Sequence, residues 1–166
     1  MVLGLSLPAF TLLHVVLSLI GIATGLVVLA QLLRAMASGL WTGIFLTSTV
    51  LTSVTGFLFP FEKFLPSHAV GILSLAALAT AIAALYGFHL RGGWGRTYVV
   101  CAVLSLYLNV FVLVVQSFLK IPALHAMAPT GTEAPFVIAQ LLTFAVFAFL
   151  GFRAFRKAVV VSSETA

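Results

Sequence analysis

Long apolar runs, interrupted only by isolated charged residues or small groups of them, organise this chain. The charge-free intervals are 1–33, 35–61, 64–90, 97–119 and 134–152, of 33, 27, 27, 23 and 19 residues. A helix needs about 20 apolar residues to cross the hydrocarbon core of a bilayer. Each interval therefore holds one span, and none holds two spans and a turn. Only helices and closed barrels satisfy the backbone in lipid, and runs this continuous are not the alternating strands of a barrel. The pattern predicts an all-α, polytopic membrane helical bundle with five transmembrane helices, about 9–33, 41–60, 67–90, 95–119 and 134–155. Residues 1–158 read as one helical-bundle domain and 159–166 as a short cytoplasmic tail.

The breaks between runs carry turn chemistry. Gly39 follows Ala37 and Ser38, and Pro60 and Pro66 bracket the second connection, with Ser67 as the expected N-cap. Gly92, Gly93 and Gly95 surround Trp94 in a tight third turn. The fourth connection, 120–133, contains Pro122, Pro129 and Gly131, and Thr130 with Glu133 has the spacing of a capping box at its exit.

Basic residues set an expected orientation. One side carries Arg34, Arg91, Arg96, Arg153, Arg156 and Lys157, the other Lys63 and Lys120. The richer side is expected in the cytoplasm, with the N-terminus outside and the C-terminus inside. Trp41, Trp94, Tyr98 and Phe155 would then form an inner aromatic belt, and Phe57, Phe59, Phe61, Phe64, Phe118 and Phe136 an outer one.

Composition agrees with the pattern. The 166 residues are 63% hydrophobic and only 7% charged, against roughly 25% charged residues in soluble domains, so this surface is built for lipid. The net charge of +5 comes from dispersed residues and not from a basic run, which points away from nucleic acid. A single cysteine, Cys101, excludes an intramolecular disulfide, a CxxC pair and a thiolate metal site. Residues 1–33 lack the charged n-region of a secretory signal peptide, so the first apolar segment is expected to stay in the membrane.

The polar residues inside the spans are the candidates for function. Asn109 and Gln116, seven residues apart, fall on one helical stripe with Ser105 and Lys120. His14, Ser18, Gly21 and Gly25 form a polar, small-residue face on span 1. Thr49, Ser53 and Gly56 line a face of span 2. His68, Gly71 and Ser74 open span 3, and Gln140 and Thr143 lie in the outer half of span 5. If these faces converge they line an outward-facing polar cavity, with His14, Ser18, His68, Asn109, Gln116 and Gln140 as candidate ligand-binding residues. His14, an ionisable group inside a span, is the foremost of them. The competing reading is structural: hydroxyl and amide side chains are ordinary glue between membrane helices. A short echo between the segments starting at His14 and His68 is consistent with a duplicated hairpin followed by a fifth helix.

Three function classes follow. The favoured one is non-catalytic, an accessory subunit or small-ligand binder that acts alone, as a homo-oligomer or within a larger membrane complex. A second is a redox protein holding b-type haem or quinone near His14 and His68. Against haem, His68 is expected at the outer interface and His14 deeper. A third is a small transporter or channel subunit, which the absence of Asp, Glu, Lys and Arg from every span disfavours. No HExxH motif and no serine, histidine and acid constellation supports an enzyme, and no dedicated metal site is expected.

The segments LTSVTGFLFPF (51–61), LPSHAVGI (65–72), LYLNVFVLVVQSFLKIPAL (106–124) and APTGTEAPF (128–136) resemble a group of small proteobacterial integral membrane proteins. The resemblance implies a bacterial inner membrane and transfers no functional residue.

Overall fold

The computed structural model describes residues 2–34, 39–60 and 66–164. Its elements are α1 (Leu7–Leu32), α2 (Gly39–Gly56), α3 (Pro66–Ile82) with a π-helical turn (Ala83–Gly87), α4 (Trp94–Lys120), α5 (Pro122–Met127) and α6 (Ala134–Glu164). Among the described residues there is no strand, only a bridge between Val2 and Leu5. Among the described residues, four helical segments are long and apolar enough to cross a membrane: Leu7–Leu32, Ser67–Gly87, Trp94–Lys120 and Ala134–Ala158. The chain is a membrane protein of bundled helices.

The second expected span, 41–60, is the exception. Its helix has 18 residues, about 27 Å at 1.5 Å per residue, and Thr42, Thr47, Ser48, Thr49, Thr52, Ser53 and Thr55 dilute its apolar content. It ends at Gly56, where Phe57 and Leu58 N–H groups turn back to the carbonyls of Val54 and Thr55, three residues earlier. The expected loop residues Ala37, Ser38, Phe61, Glu62, Lys63 and Phe64 lie outside the described residues.

Local chemistry sets the other ends. Ser6 caps α1, its hydroxyl oxygen accepting from the Ala9 amide at 3.4 Å, and Pro8 sits in the first turn, where a missing N–H costs nothing. Helix α3 begins at Pro66, so Ser67 lies inside it. Its far end loosens into the π turn and a left-handed corner at His89, Leu90 and Gly92, with φ of 50°, 57° and 55°. Only the glycine adopts that conformation without steric cost. Phe88 and Trp94 stack across the corner at 3.8 Å between ring centroids. Pro122 forces Ile121 into an extended conformation (φ −91°, ψ 115°) that stops α4, and the same proline starts the short α5. Helix α6 runs on to Glu164, through the segment read as tail.

Contacts fix the register. On α1 and α2, His14 meets Thr55, Gly21 meets Ser48 and Thr49, and Gly25 meets Phe45. Ser53 of α2 meets Ser74 of α3. Leu106 of α4 closes on Gly25, and on α6 Val103 meets Gly151, Tyr107 meets Phe144 and Phe147, and Phe118 meets Phe136. Helices α1, α3 and α6 thus run one way, and α2 and α4 the other. Helix α4 is central, packed by α1, α3 and α6, whereas α6 keeps one face on α4 and exposes Ile138, Leu141, Leu142, Phe149 and Phe152.

The bundle is chemically divided along its length. The apolar core (Val28, Leu29, Phe45, Leu46, Leu78, Ala81, Tyr98, Val99, Val103, Leu106 and Ala154 among others) fills the half nearer Arg34, Arg91 and Arg96. The other half holds the side-chain hydrogen bonds His14–Thr55, Asn109–Thr49, Ser53–Ser74 and Gln140 to the Phe111 carbonyl, whereas in the core half Tyr98 of α4 bonds to Thr42 of α2.

Candidate functional site

Helix α1 presents Gly21 to both α2 and α4. A side chain there would stand 3.0 Å from Thr49 Oγ1, 3.3 Å from Asn109 Nδ2 and 3.3 Å from Ser48 Oγ. The missing Cβ lets three polar groups from two helices converge on α1. Asn109 donates to Thr49 Oγ1 at 3.4 Å. Ser48 spends its proton on the carbonyls of Ile44 and Phe45.

From Thr49 a line of threonines climbs α2 at three-residue spacing: Thr49, Thr52 and Thr55, all buried. Thr52 is 8% exposed, and its Oγ1 is buried with no hydrogen-bond partner. Such a group in a native interior calls for an explanation, because leaving it unmade costs about 1–3 kcal/mol. Thr55 ends the line at His14, whose Nδ1 lies 2.8 Å from its Oγ1.

The network assigns the imidazole tautomer. The Thr55 hydroxyl proton is directed at the Leu51 and Thr52 carbonyls, at 2.7 and 3.1 Å. His14 Nδ1–H therefore donates to Thr55 Oγ1, which leaves the neutral ring's Nε2 as an acceptor. Phe59 meets the His14 ring edge-on at 5.2 Å, and Phe10, fully buried, packs against Phe59 at 5.0 Å. An aromatic pair thus covers the histidine at the end of the threonine line.

The six sequence candidates divide among several places. His14 and Asn109 stand at the two ends of the threonine line. Ser18 sits a turn from His14, and its hydroxyl donates to the His14 carbonyl at 2.8 Å. His68 is 6% exposed, and its ring stacks on Phe57 at 5.7 Å. The Phe57 ring lies where a side chain on Gly71 would be, 2.9 Å from that position. Gln116 is exposed. Gln140 donates to the Phe111 carbonyl at 3.2 Å, and its Oε1 is buried without a partner. It belongs to the α4–α6 contact around Tyr107, about 200° around α4 from Asn109 by helical geometry. The stripe from Ser105 to Lys120 therefore runs from the interior at Ser105 (0% exposed) to the surface at Gln116 and Lys120.

Thr52, Thr55, Phe10 and Phe59 were not among the expected site residues. The three-residue spacing of threonines was visible in the chain, but hydroxyls that can bond their own helix gave no reason to choose among them. Phe57, Phe59 and Phe118, expected in an outer belt, turn inward onto His68, His14 and Phe136. Tyr98, expected in the inner belt, is 4% exposed and part of the core. An aromatic near a span end lowers its free energy equally well by meeting another ring as by meeting a headgroup.

The capping-box spacing at 130–133 is realised in part. Glu133 Oε1 accepts from the Thr130 amide at 3.0 Å and the Thr130 hydroxyl at 2.9 Å, and Oε2 accepts from the Thr132 amide at 3.1 Å. Helix α6 starts only at Ala134, with the Glu133 carbonyl taking the Val137 amide. Desolvation pushes the Glu133 carboxyl up, but these hydrogen bonds and one from its own amide outweigh it and bring it down to about 2.

Among the described residues, one cleft of about 470 Å³ lies between α1 and α2, lined by Leu17, Gly43, Ile44, Thr47, Ser48 and Leu51 among others, and it adjoins the Gly21 contact through Ser48. Another of about 230 Å³ lies between α4 and α6 near Arg96. Among the described residues no group of three His, Cys, Asp or Glu side chains could hold a metal ion. No family model, curated protein or solved structure matches this chain.

Proposed function

We propose that the chain is a non-catalytic, multi-pass protein of the bacterial inner membrane that binds a small, weakly polar ligand. The site is the seam between α1, α2 and α4, and it opens to the outer side. It serves by itself or as an accessory subunit of a larger assembly. In this reading α2 completes a five-span bundle, the N-terminus lies outside and the Arg34, Arg91 and Arg96 end faces the cytoplasm. The six-to-two division of basic residues supports that direction.

The observation that carries the reading is the buried, unpartnered hydroxyl of Thr52 between Asn109 and His14. Hydrogen bonds between membrane helices contribute about 0.6 kcal/mol on average, so an apolar seam would hold α2 in place equally well. A polar seam with one hydroxyl left over fits a guest that brings one hydrogen-bonding group and a short apolar body. Phe10 and Phe59 supply apolar cover beside His14.

Thr52→Val keeps the shape and removes the hydroxyl. It is expected to raise the melting temperature of the ligand-free protein in detergent, because an unsatisfied buried group is deleted. Short-chain alkyl amides and quinones are the probes. At least one should raise the melting temperature of the native protein, and neither Thr52→Val nor His14→Phe should respond to it. Failure of every probe, or an equal response in both variants, would contradict the proposal. So would a Soret band in the absorption spectrum of the purified protein, which would move His14 to haem ligation.

A further inference from the structure

The cleft of about 230 Å³ between α4 and α6 lies at the basic end of the bundle, away from the seam, and is lined by Arg96, Thr97, Val100, Cys101 and Phe155. Its volume is well above the ~30 Å³ share of one water. We infer that this cleft is a binding site for an anionic phospholipid, with the Arg96 guanidinium on the headgroup phosphate and the start of an acyl chain along Val100.

Three observations support it. The Arg96 side chain is partly exposed, but its Nε is buried without a hydrogen-bond partner, and a carboxylate or phosphate is what matches such a donor. Glu133, the one acid whose side chain the structure describes, lies at the opposite end of the bundle, bonded to Thr130 and Thr132. The neighbouring cations are engaged differently. Arg153 and Arg156 lie over Phe149 and Phe152, one turn back on the exposed face of α6, at 5.8 and 5.9 Å.

The lining is also graded along α4. Arg96 and Thr97 stand in the first turn, at the end of the span, and Val100 and Cys101 one turn deeper, with Val100 51% exposed. An amphiphile with a charged head at the membrane boundary and an apolar chain running inward matches that order. A free phosphate would leave the apolar half of the cleft unused. Planar, bidentate recognition of phosphate is what arginine does better than lysine.

Thermal melting in a neutral detergent with added lipid tests the site. Phosphatidylglycerol should raise the melting temperature of the native protein and phosphatidylcholine should not. Arg96→Gln should lose most of that rise, Arg96→Lys should keep part of it, and Arg156→Gln, which removes a basic residue outside the cleft, should keep all of it. Val100→Trp fills the cleft without touching charge and should also lose the rise. The inference is overturned if Arg96→Gln or Val100→Trp responds like the native protein. It is equally overturned if phosphatidylcholine matches phosphatidylglycerol, or if inorganic phosphate alone reproduces the rise.

Discussion

Gly21 and Gly25, one turn apart on α1, admit opposite chemistries to the same helix face. At Gly21 the neighbours are Thr49, Ser48 and Asn109. At Gly25 a Cβ would stand 2.5 Å from Leu106 Cδ1 and 2.8 Å from the Phe45 ring, both almost completely buried. Neither Leu106 nor Phe45 has space to retreat, so Gly25→Ala is expected to destabilise the bundle by about 1–3 kcal/mol, partly offset by the higher helix propensity of alanine. Gly21→Ala needs shifts of only a few tenths of an ångström and should cost less. Melting of the two variants side by side checks that order. Both glycines were legible as a small-residue face, and His14 and Asn109 as polar groups within spans in need of partners. Their partners were not legible. Nothing in the spacing of span 2 distinguishes Thr49, which takes Asn109, from Thr52, which takes nothing, because that depends on how α2 is rotated against two other helices.

At the scale of elements, apolar length located both ends of α1 and α4 and the starts of α3 and α6 to within two residues, because hydrocarbon thickness and the backbone's need for internal hydrogen bonds leave few alternatives. It overran α3, which ends at Ile82, and stopped short of the end of α6 at Glu164. Helix α2 was read as longer than it is, since a charge-free interval does not show that Phe57 and Phe59 leave the helix to cover His68 and His14. The short α5 was missed because Pro122, taken only as a breaker, also starts a helix. The loop before α6 shows local chemistry that composition hides. Glu133 is held at about 2 against an ordinary 4.5, so the unfolded chain binds more protons between those values and stability rises with pH across them. The stabilisation contributed by Glu133 is complete above about 4.5 and is lost as pH falls through about 2. Glu133→Gln should flatten that part of a pH-melting profile and leave the profile above pH 5 nearly unchanged.

Across the whole molecule, the apolar core fills one half of the bundle, with Tyr98 bonded to Thr42 inside it, and His14–Thr55, Asn109–Thr49 and Ser53–Ser74 lie in the other. One outward cavity lined by six residues was expected from the sequence. The structure gathers His14 and Asn109 along one threonine line and carries His68, Gln116 and Gln140 to other surfaces. One face of a helix can be read from spacing, whereas convergence of faces requires the packing angles of the bundle. The central claim is that the seam admits small polar molecules from the outer side. It is tested most directly by cysteine accessibility in a Cys101→Ser background, with a small membrane-impermeant thiol reagent added to intact spheroplasts. Cysteine introduced by Thr52→Cys should react, as should a control by His125→Cys in α5, whereas Leu113→Cys on the lipid-facing side of α4 and Gly93→Cys at the opposite end should not. A silent Thr52→Cys beside a reactive His125→Cys would show a sealed seam, and reaction of Gly93→Cys with His125→Cys silent would invert the proposed orientation; either result contradicts the account.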